Sequence, residues 1–201
     1  CFSSHALFRR TGGGLVEYKF RIFSGLRMNH HVLEGCSFYD CNFDKCHFED
    51  IELRECEFEN CTFSSCAIRN VKHAQLKIID CMANNTLLQG INFGGIAFPH
   101  AFSFSGCKLS YVDFISLDLQ KGKFTTNLFK ACFFEECNLK KSDFSGCEFD
   151  ATEFRQTDLS GCDFSDTSGL DINHLINRLA NTKIPEEAGY KILQRMGLII
   201  T

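Results

Sequence analysis

Cysteine is the residue in this chain with the widest chemical repertoire, and the 201 residues include 13 of them. Twelve recur at one spacing position: Cys36, Cys41, Cys46, Cys56, Cys61, Cys66, Cys81, Cys107, Cys132, Cys137, Cys147 and Cys162. Thiols in such number could ligate zinc, pair as disulfides or do redox work. The spacing argues otherwise, because the common interval is C-x4-C rather than the C-x2-C of zinc and redox motifs. Reduced cysteine used as a small buried apolar residue, in a reducing cytoplasm, fits better.

Carboxylates are the second candidate. There are 25 Asp+Glu against 21 Lys+Arg, a formal net charge of -4. Residues 36–70 hold eight acids and three bases, a net of -5, and residues 136–170 hold the same. The stretches 71–100 and 101–135 are each +1. A mildly acidic chain is poorly suited to capturing nucleic acid or an anionic membrane. No Gly-rich phosphate loop, HExxH or nucleophile elbow is present, and no motif implies a cofactor. The chain therefore reads as a binding protein and not an enzyme. Surface acids serve solubility in any such protein, so their arrangement has to carry any further meaning.

The elements that position these residues follow from a period of five. From Cys36 the sequence runs CSFYD CNFDK CHFED IELRE CEFEN CTFSS CAIRN, with a large apolar residue at Phe38, Phe43, Phe48, Leu53, Phe58, Phe63 and Ile68. The frame continues through His73, Ile78, Ala83, Leu88, Phe93 and Phe98, slips by one residue, and resumes from Phe104 to Phe164. Sixteen of these 26 centres are Phe, and the cysteines lie two residues before them. Neither a helix nor a long strand accommodates that interval. Two inward residues flanking an outward one make a short extended segment, and the remaining two residues turn a corner. Four units then close one coil of about 20 residues, and stacked coils hydrogen-bond about 4.8 Å apart. One coil cannot bury enough surface to stand alone, so the array is obligatory. An axis filled with phenylalanine leaves no substrate cavity.

Cys41, Cys61 and Cys81 should stack on one side of such a coil. Parallel side chains would hold their Cβ atoms near the coil spacing of about 4.8 Å, too far for a disulfide. Tyr18, Phe23, Met28 and Leu33 extend the frame upstream, which places the coil array at residues 16–166. Residues 1–15 are off-frame, an arm or a cloning remnant. At the slip, Phe98-Pro99-His100-Ala101, the expectation is a bulge absorbed by the stack. His73 and Ala83, polar and small at centre positions, predict a buried histidine and a small void.

After Phe164 the spacing turns helical. Asp171-Ile172-Asn173 offers a cap for a first helix with Leu175, Ile176 and Leu179 on one side. A second helix starts at Pro185, carries Ile192, Leu193 and Met196 as an apolar stripe, and stops before Gly197. Leu198-Ile199-Ile200 has strand character. An open coil end needs a cap, and residues 167–201 supply more apolar surface than one cap uses. The expectation is a homodimer through Ile192, Leu193, Met196, Leu198, Ile199 and Ile200.

The A/C/S/T-x-F/L-x-x units over residues 16–166 resemble the pentapeptide-repeat family. That resemblance implies an all-β solenoid, a right-handed quadrilateral β-helix of pentapeptide repeats, here with a short C-terminal helical cap. VDFISLDLQK (112–121), KKSDFSGCEF (140–149) and LDINHLINRL…KIPEEAGYKILQRMGLIIT are similar to the topoisomerase-protecting branch, which includes immunity, quinolone-resistance and albicidin-resistance proteins. The branch implies a dimeric rod that imitates duplex DNA, binds DNA gyrase and releases it from poisoned cleavage complexes; whether topoisomerase IV is also a target is left open by the sequence. On that reading Asp143, Glu148, Asp150, Glu153, Asp158, Asp163 and Asp166 face the partner as phosphate surrogates. The competing reading is a structural scaffold whose solenoid surface binds some other protein.

Overall fold

A side chain that must be buried every fifth residue bends the backbone into a four-sided coil, and the computed structural model has that form over the residues it describes, 16–96 and 103–199. Every strand is short and pairs in parallel with the strand one coil away. The first face stacks Val16–Lys19, Cys36–Tyr39, Glu57–Glu59 and Lys77–Ile79. The second stacks Ile22–Ser24, Asn42–Asp44, Thr62–Ser64, Met82–Asn84, Ser103–Ser105 and Phe124–Thr125. The third runs from Arg27–Asn29 to Glu148–Asp150, and the fourth from Val32–Glu34 to Glu153–Arg155. Two longer strands, Leu87–Asn92 and Lys108–Ile115, pass around the corner between the third and fourth faces.

The register records the slip. Thr62 lies opposite Met82, 20 residues on, whereas Met82 lies opposite Ser103 and Leu87 opposite Lys108, 21 residues on. By Lys108 and Leu128 the interval is 20 again. One residue is thus added between Phe93 and Ser103, and the second and third faces continue in register on either side of it. The slip residues Phe98 to Ala101, like residues 1–15 and Ile200, lie outside the described residues.

Each corner carries a left-handed backbone at the residue two past the centre. Asp40, Lys45, Asn60 and Asn85 have φ of 53, 51, 52 and 47°. Glycine takes this conformation without strain, and Gly25, Gly35 and Gly106 occupy such corners. Elsewhere Asn and Asp, tolerant of it through local hydrogen bonding, share the corners with strained Lys, Glu and Tyr.

The axis is a ladder of rings. Phe38 stacks on Phe58 at 4.7 Å, Phe43 on Phe63 at 4.8 Å, and Phe124 on Phe144 at 4.8 Å. Across the bore the rings meet edge to face, as Phe134 and Phe144 do at 5.9 Å and 89°. The ladder fails at Ala83, which lies opposite Phe63. A cavity of about 80 Å³ runs along this half of the axis, lined from Met28 to Ile96, with Phe63, Ile68, His73, Ile78 and Ala83 among its wall residues. Those first four, the centres of one coil, are only half-buried, while Phe43, Phe48, Leu53 and Phe58 in the coil before are buried. His73 is the departure from the expected buried histidine. It is half-buried, and its Nε2–H donates to the Asn92 carbonyl at 2.6 Å, because that carbonyl belongs to the next coil at the same corner.

The thiols do more than fill corners. Cys61 Sγ donates to the Phe38 and Glu59 carbonyls, both at 3.4 Å, and Cys81 Sγ accepts the Cys61 N–H at 3.4 Å. Thr86 Oγ1 repeats this, donating to Phe63 at 3.1 Å and accepting from Cys66 N–H at 3.2 Å. Cys, Ser, Thr and Asn at this position can both donate and accept and so tie neighbouring coils together, whereas Ile51, Val71, Leu76 and Val112 fill it by burial alone. The twelve described cysteines are buried and none is disulfide-bonded.

The C-terminal expectation needs correction. No helix forms after Asp171; residues 174–176 make a turn and the coil continues. Asn177 occupies the inner corner position, accepting the Thr157 N–H at 3.0 Å and donating to the Phe154 carbonyl at 2.7 Å. Thr182 donates to Leu159 in the same way, and Asp158 and Asp163 pair with Arg178 and Lys183. The spacing of Asn177-x-Leu179 and Thr182-x-Ile184 is the coil frame, and backbone pairing to the previous coil outweighed a weak helical period. One helix forms, Glu186–Arg195, with Pro185 just before it at φ -67° and Gly197 after it at φ 79°. Leu198 and Ile199 are not in a strand, since no neighbouring edge pairs with them.

Candidate partner-binding surface

Five-residue units on four faces have a consequence for charge. A run of 20 residues is a ring around the rod, so the acids concentrated in residues 136–170 do not form a stripe. Alignment along the axis requires a 20-residue interval, and of the seven candidate acids only Asp143 and Asp163 have it, being directly opposite on the second face.

Around that pair the candidates divide. Asp166 is at the corner that leads from the second face to the third, with φ 56°. Glu148 and Asp150 are on the third face, both exposed. These five make one surface over two adjoining faces. Glu153 is on the fourth face and Asp158 on the first, so the structure does not bring them to the others.

Ion pairing divides them again. The second-face column reads Lys123, Asp143, Asp163, Lys183 along the axis. Lys183 Nζ donates to Asp163 Oδ2 at 2.7 Å, and this contact with those from Ser165 holds the Asp163 carboxyl down to about 2. Asp150 pairs with Lys130 at 3.4 Å, and Glu153 with Arg155 at 2.7 Å. Burial pushes the Asp158 carboxyl up, but Ser160 and Lys140, the latter at 3.2 Å, outweigh it and the net shift is downward. Asp143 accepts the Ser145 N–H at 2.9 Å. Glu148 and Asp166 have no ion-pair partner among the described residues. The lysines that flank the column, Lys183 paired with Asp163 and Lys123 beside Asp143, follow from the 20-residue interval.

At the C-terminal end apolar surface is exposed. Leu193, Met196, Leu198 and Ile199 are exposed, Ile199 by 91%, and Leu175 by 77%. Ile192 is half-buried. The helix is fixed to the last coil by buried Ala188 and by Arg195, whose Nη2 donates to Asp171 Oδ2 at 2.8 Å. Lys191 Nζ adds a bond to the Leu170 carbonyl at 3.4 Å.

Four of the thiols are chemically muted. Burial pushes Cys132 and Cys137 up to about 11 and Cys147 and Cys162 up to about 12. Among the described residues no group of three or more His, Cys, Asp or Glu side chains is placed to hold a metal, and no helix is long and apolar enough to cross a membrane.

A four-sided parallel coil with a five-residue unit, hydrogen-bonded through corner side chains, defines the class: a parallel β-solenoid built of pentapeptide repeats. Residues 129–166 match the model for pentapeptide repeats, and residues 16–88 match that for the SV2A/B/C luminal domain. The chain is similar to Protein McbG of Escherichia coli, 55% identical over 114 residues, which is 57% of this chain and 61% of McbG. The match therefore spans about three fifths of that relative. Among solved structures, a trypsin-treated single-site variant of QnrB1, a plasmid-mediated fluoroquinolone resistance protein, aligns with a TM-score of 0.53. It covers 92% of this chain and 100% of that one at 18% identity, a likeness of fold alone.

Proposed function

We propose that this chain is an immunity or resistance factor that binds DNA gyrase and protects it from a topoisomerase poison, a microcin-type toxin first and quinolones second. The observation that carries the reading is the 55% identity to McbG, a microcin B immunity protein. The QnrB1-like fold is compatible with it. The protein acts by binding. Its rod presents Asp143, Asp163, Asp166, Glu148 and Asp150 over two faces, where a DNA-binding protein would otherwise meet phosphates. Such carboxylates chiefly steer association and orient the partner. Glu153 and Asp158 contribute to the overall field rather than to this surface.

The functional unit is a homodimer. Leu193, Met196, Leu198 and Ile199 are exposed apolar residues beside the last coil, and a second copy is the occupant they suit, with Ile192 and Ile200 completing the interface. A two-fold axis there doubles the acidic surface about the centre of the rod. The coils from residue 16 to Lys183 form the rod, and the Glu186–Arg195 helix with the residues after it closes the rod and joins the two copies.

The test is a gyrase DNA-cleavage assay with a microcin-type or quinolone poison, titrated with the purified protein. Cleaved DNA should fall before supercoiling is inhibited. Duplex DNA and added salt should each displace the protein, and reversal of the five acids to lysine should abolish binding while leaving the folded dimer intact. Persistent cleavage with no gyrase binding refutes the reading and leaves a scaffold for another protein.

A further inference from the structure

The corner between the third and fourth faces carries His30, Asp50 and Asn70 in the first coils, and from Gly90 onward it is built from small residues with one exception. Gly90, Tyr111, Ala131 and Ala151 follow one another along the axis, one coil apart, as the register on either side of them fixes. Tyr111 adopts φ 55° and is 58% exposed. A left-handed backbone is costly for a bulky aromatic residue, and a ring in water recovers nothing by burial. The corner itself does not require tyrosine, since Gly and Ala form it in the flanking coils. Phe20, the other aromatic corner, is in the first described coil; Tyr111 is in the middle of the rod with small residues on both sides.

The chemistry around the ring is specific. Asp113, two residues on and outward on the fourth face, has a carboxylate with no ion-pair partner among the described residues. One coil further along the same edge, Arg155 lies over the Phe133 ring at 5.0 Å, so an aromatic face and a guanidinium already pair on this edge. No cation of the described residues lies over Tyr111. Asp150 and Glu153 flank the corner at Ala151, which links this edge to the acidic surface.

Resting on the gyrase-binding reading, we propose that Tyr111 is the anchor of the partner contact: its ring face takes an arginine or lysine of a basic protein surface while the Asp113 carboxylate holds the same cation. Both halves of this site favour a positive charge. The strained corner is retained because the ring is used in binding.

The experiment measures binding of the full chain to DNA gyrase, together with thermal unfolding, for Tyr111→Asn, Tyr111→Phe and Asp113→Asn. Asparagine tolerates the left-handed corner, so Tyr111→Asn should raise Tm by about 2–4 °C. The same variant should weaken binding about tenfold, roughly 1.4 kcal/mol. Tyr111→Phe should bind as the parent does, and Asp113→Asn should bind several-fold more weakly and with a shallower salt dependence. If the parent binds and Tyr111→Asn binds equally well, the anchor is refuted and the gyrase reading stands. If the parent itself does not bind gyrase, both fall together.

Discussion

Filling the gap in the ring ladder should make the rod more stable, by an amount that follows from its volume. Phe63 has a stacked neighbour in Phe43 on one side and only Ala83 on the other, and this gap opens into the cavity of about 80 Å³ that runs along the axis from Met28 to Ile96. Residual cavity costs roughly 24 cal/mol per Å³, about 1.9 kcal/mol for the whole space, of which a side chain at position 83 can fill only a part. Ala83→Leu adds three carbons at a centre position where leucine already serves at Leu88 and Leu109. Recovering a quarter to a half of the deficit gives about 0.5–1 kcal/mol, and at 2–4 °C per kcal/mol for a chain of this size Tm rises by about 1–4 °C. Differential scanning calorimetry on the parent, Ala83→Val and Ala83→Leu reads this directly. Valine is the control for overpacking, which costs about 1–3 kcal/mol where space is short. A Tm that is unchanged or lowered in both variants would mean that no usable void separates the two coils, and the argument from the broken ladder would fail.

The remaining expectations concern charge, thiols and the closing helix. Asp163, held to about 2 beside Lys183, stabilises the fold above its unfolded value near 4, and that contribution is lost as pH falls through about 2. Asp163→Asn should therefore lower Tm slightly at pH 7, by less than about 1 kcal/mol for so exposed a pair, and match the parent near pH 1. The twelve described cysteines are buried, so alkylation at pH 8 should proceed at each no faster than that site unfolds, as peptide mapping after timed labelling would reveal. Rapid labelling at Cys132 or Cys147 without loss of structure would contradict the corner assignment. Arg195→Ala removes the bidentate pair with Asp171 and should cost about 1 kcal/mol, loosening Glu186–Arg195 in hydrogen exchange before the coils open.

The rod was legible in sequence because one five-residue frame sets chain direction, burial and register together. Phe38, Phe58 and Leu139 could be placed on the axis from spacing alone, and each is buried. The coil around Asn177 and Thr182 was not legible, because Leu175, Ile176 and Leu179 also satisfy a helical period. The deciding factor, an Asn177 side chain bonded to Thr157 and Phe154 one coil back, is non-local. The candidate surface was half legible. Its acids are visible, but a concentration of charge along the chain becomes a ring, and only the 20-residue interval separates Asp143 and Asp163 from Glu153 and Asp158. Tyr111 escaped notice because exposure and a left-handed φ are properties of the folded corner.

The four-sided register also sets a phase between the two ends of the molecule. Inserting one five-residue unit in the middle would turn everything downstream by a quarter turn relative to everything upstream, moving the Asp143–Asp163 column from beneath the Asp44 side to an adjoining one. Inserting four units would restore the phase and lengthen the rod by about 4.8 Å. The single residue gained between Phe93 and Ser103 changes neither, since pairing returns to 20-residue steps beyond it. Length and rotational phase can thus be altered separately in this chain, and a partner that grips both halves at once would tolerate insertions of 20 residues better than insertions of five.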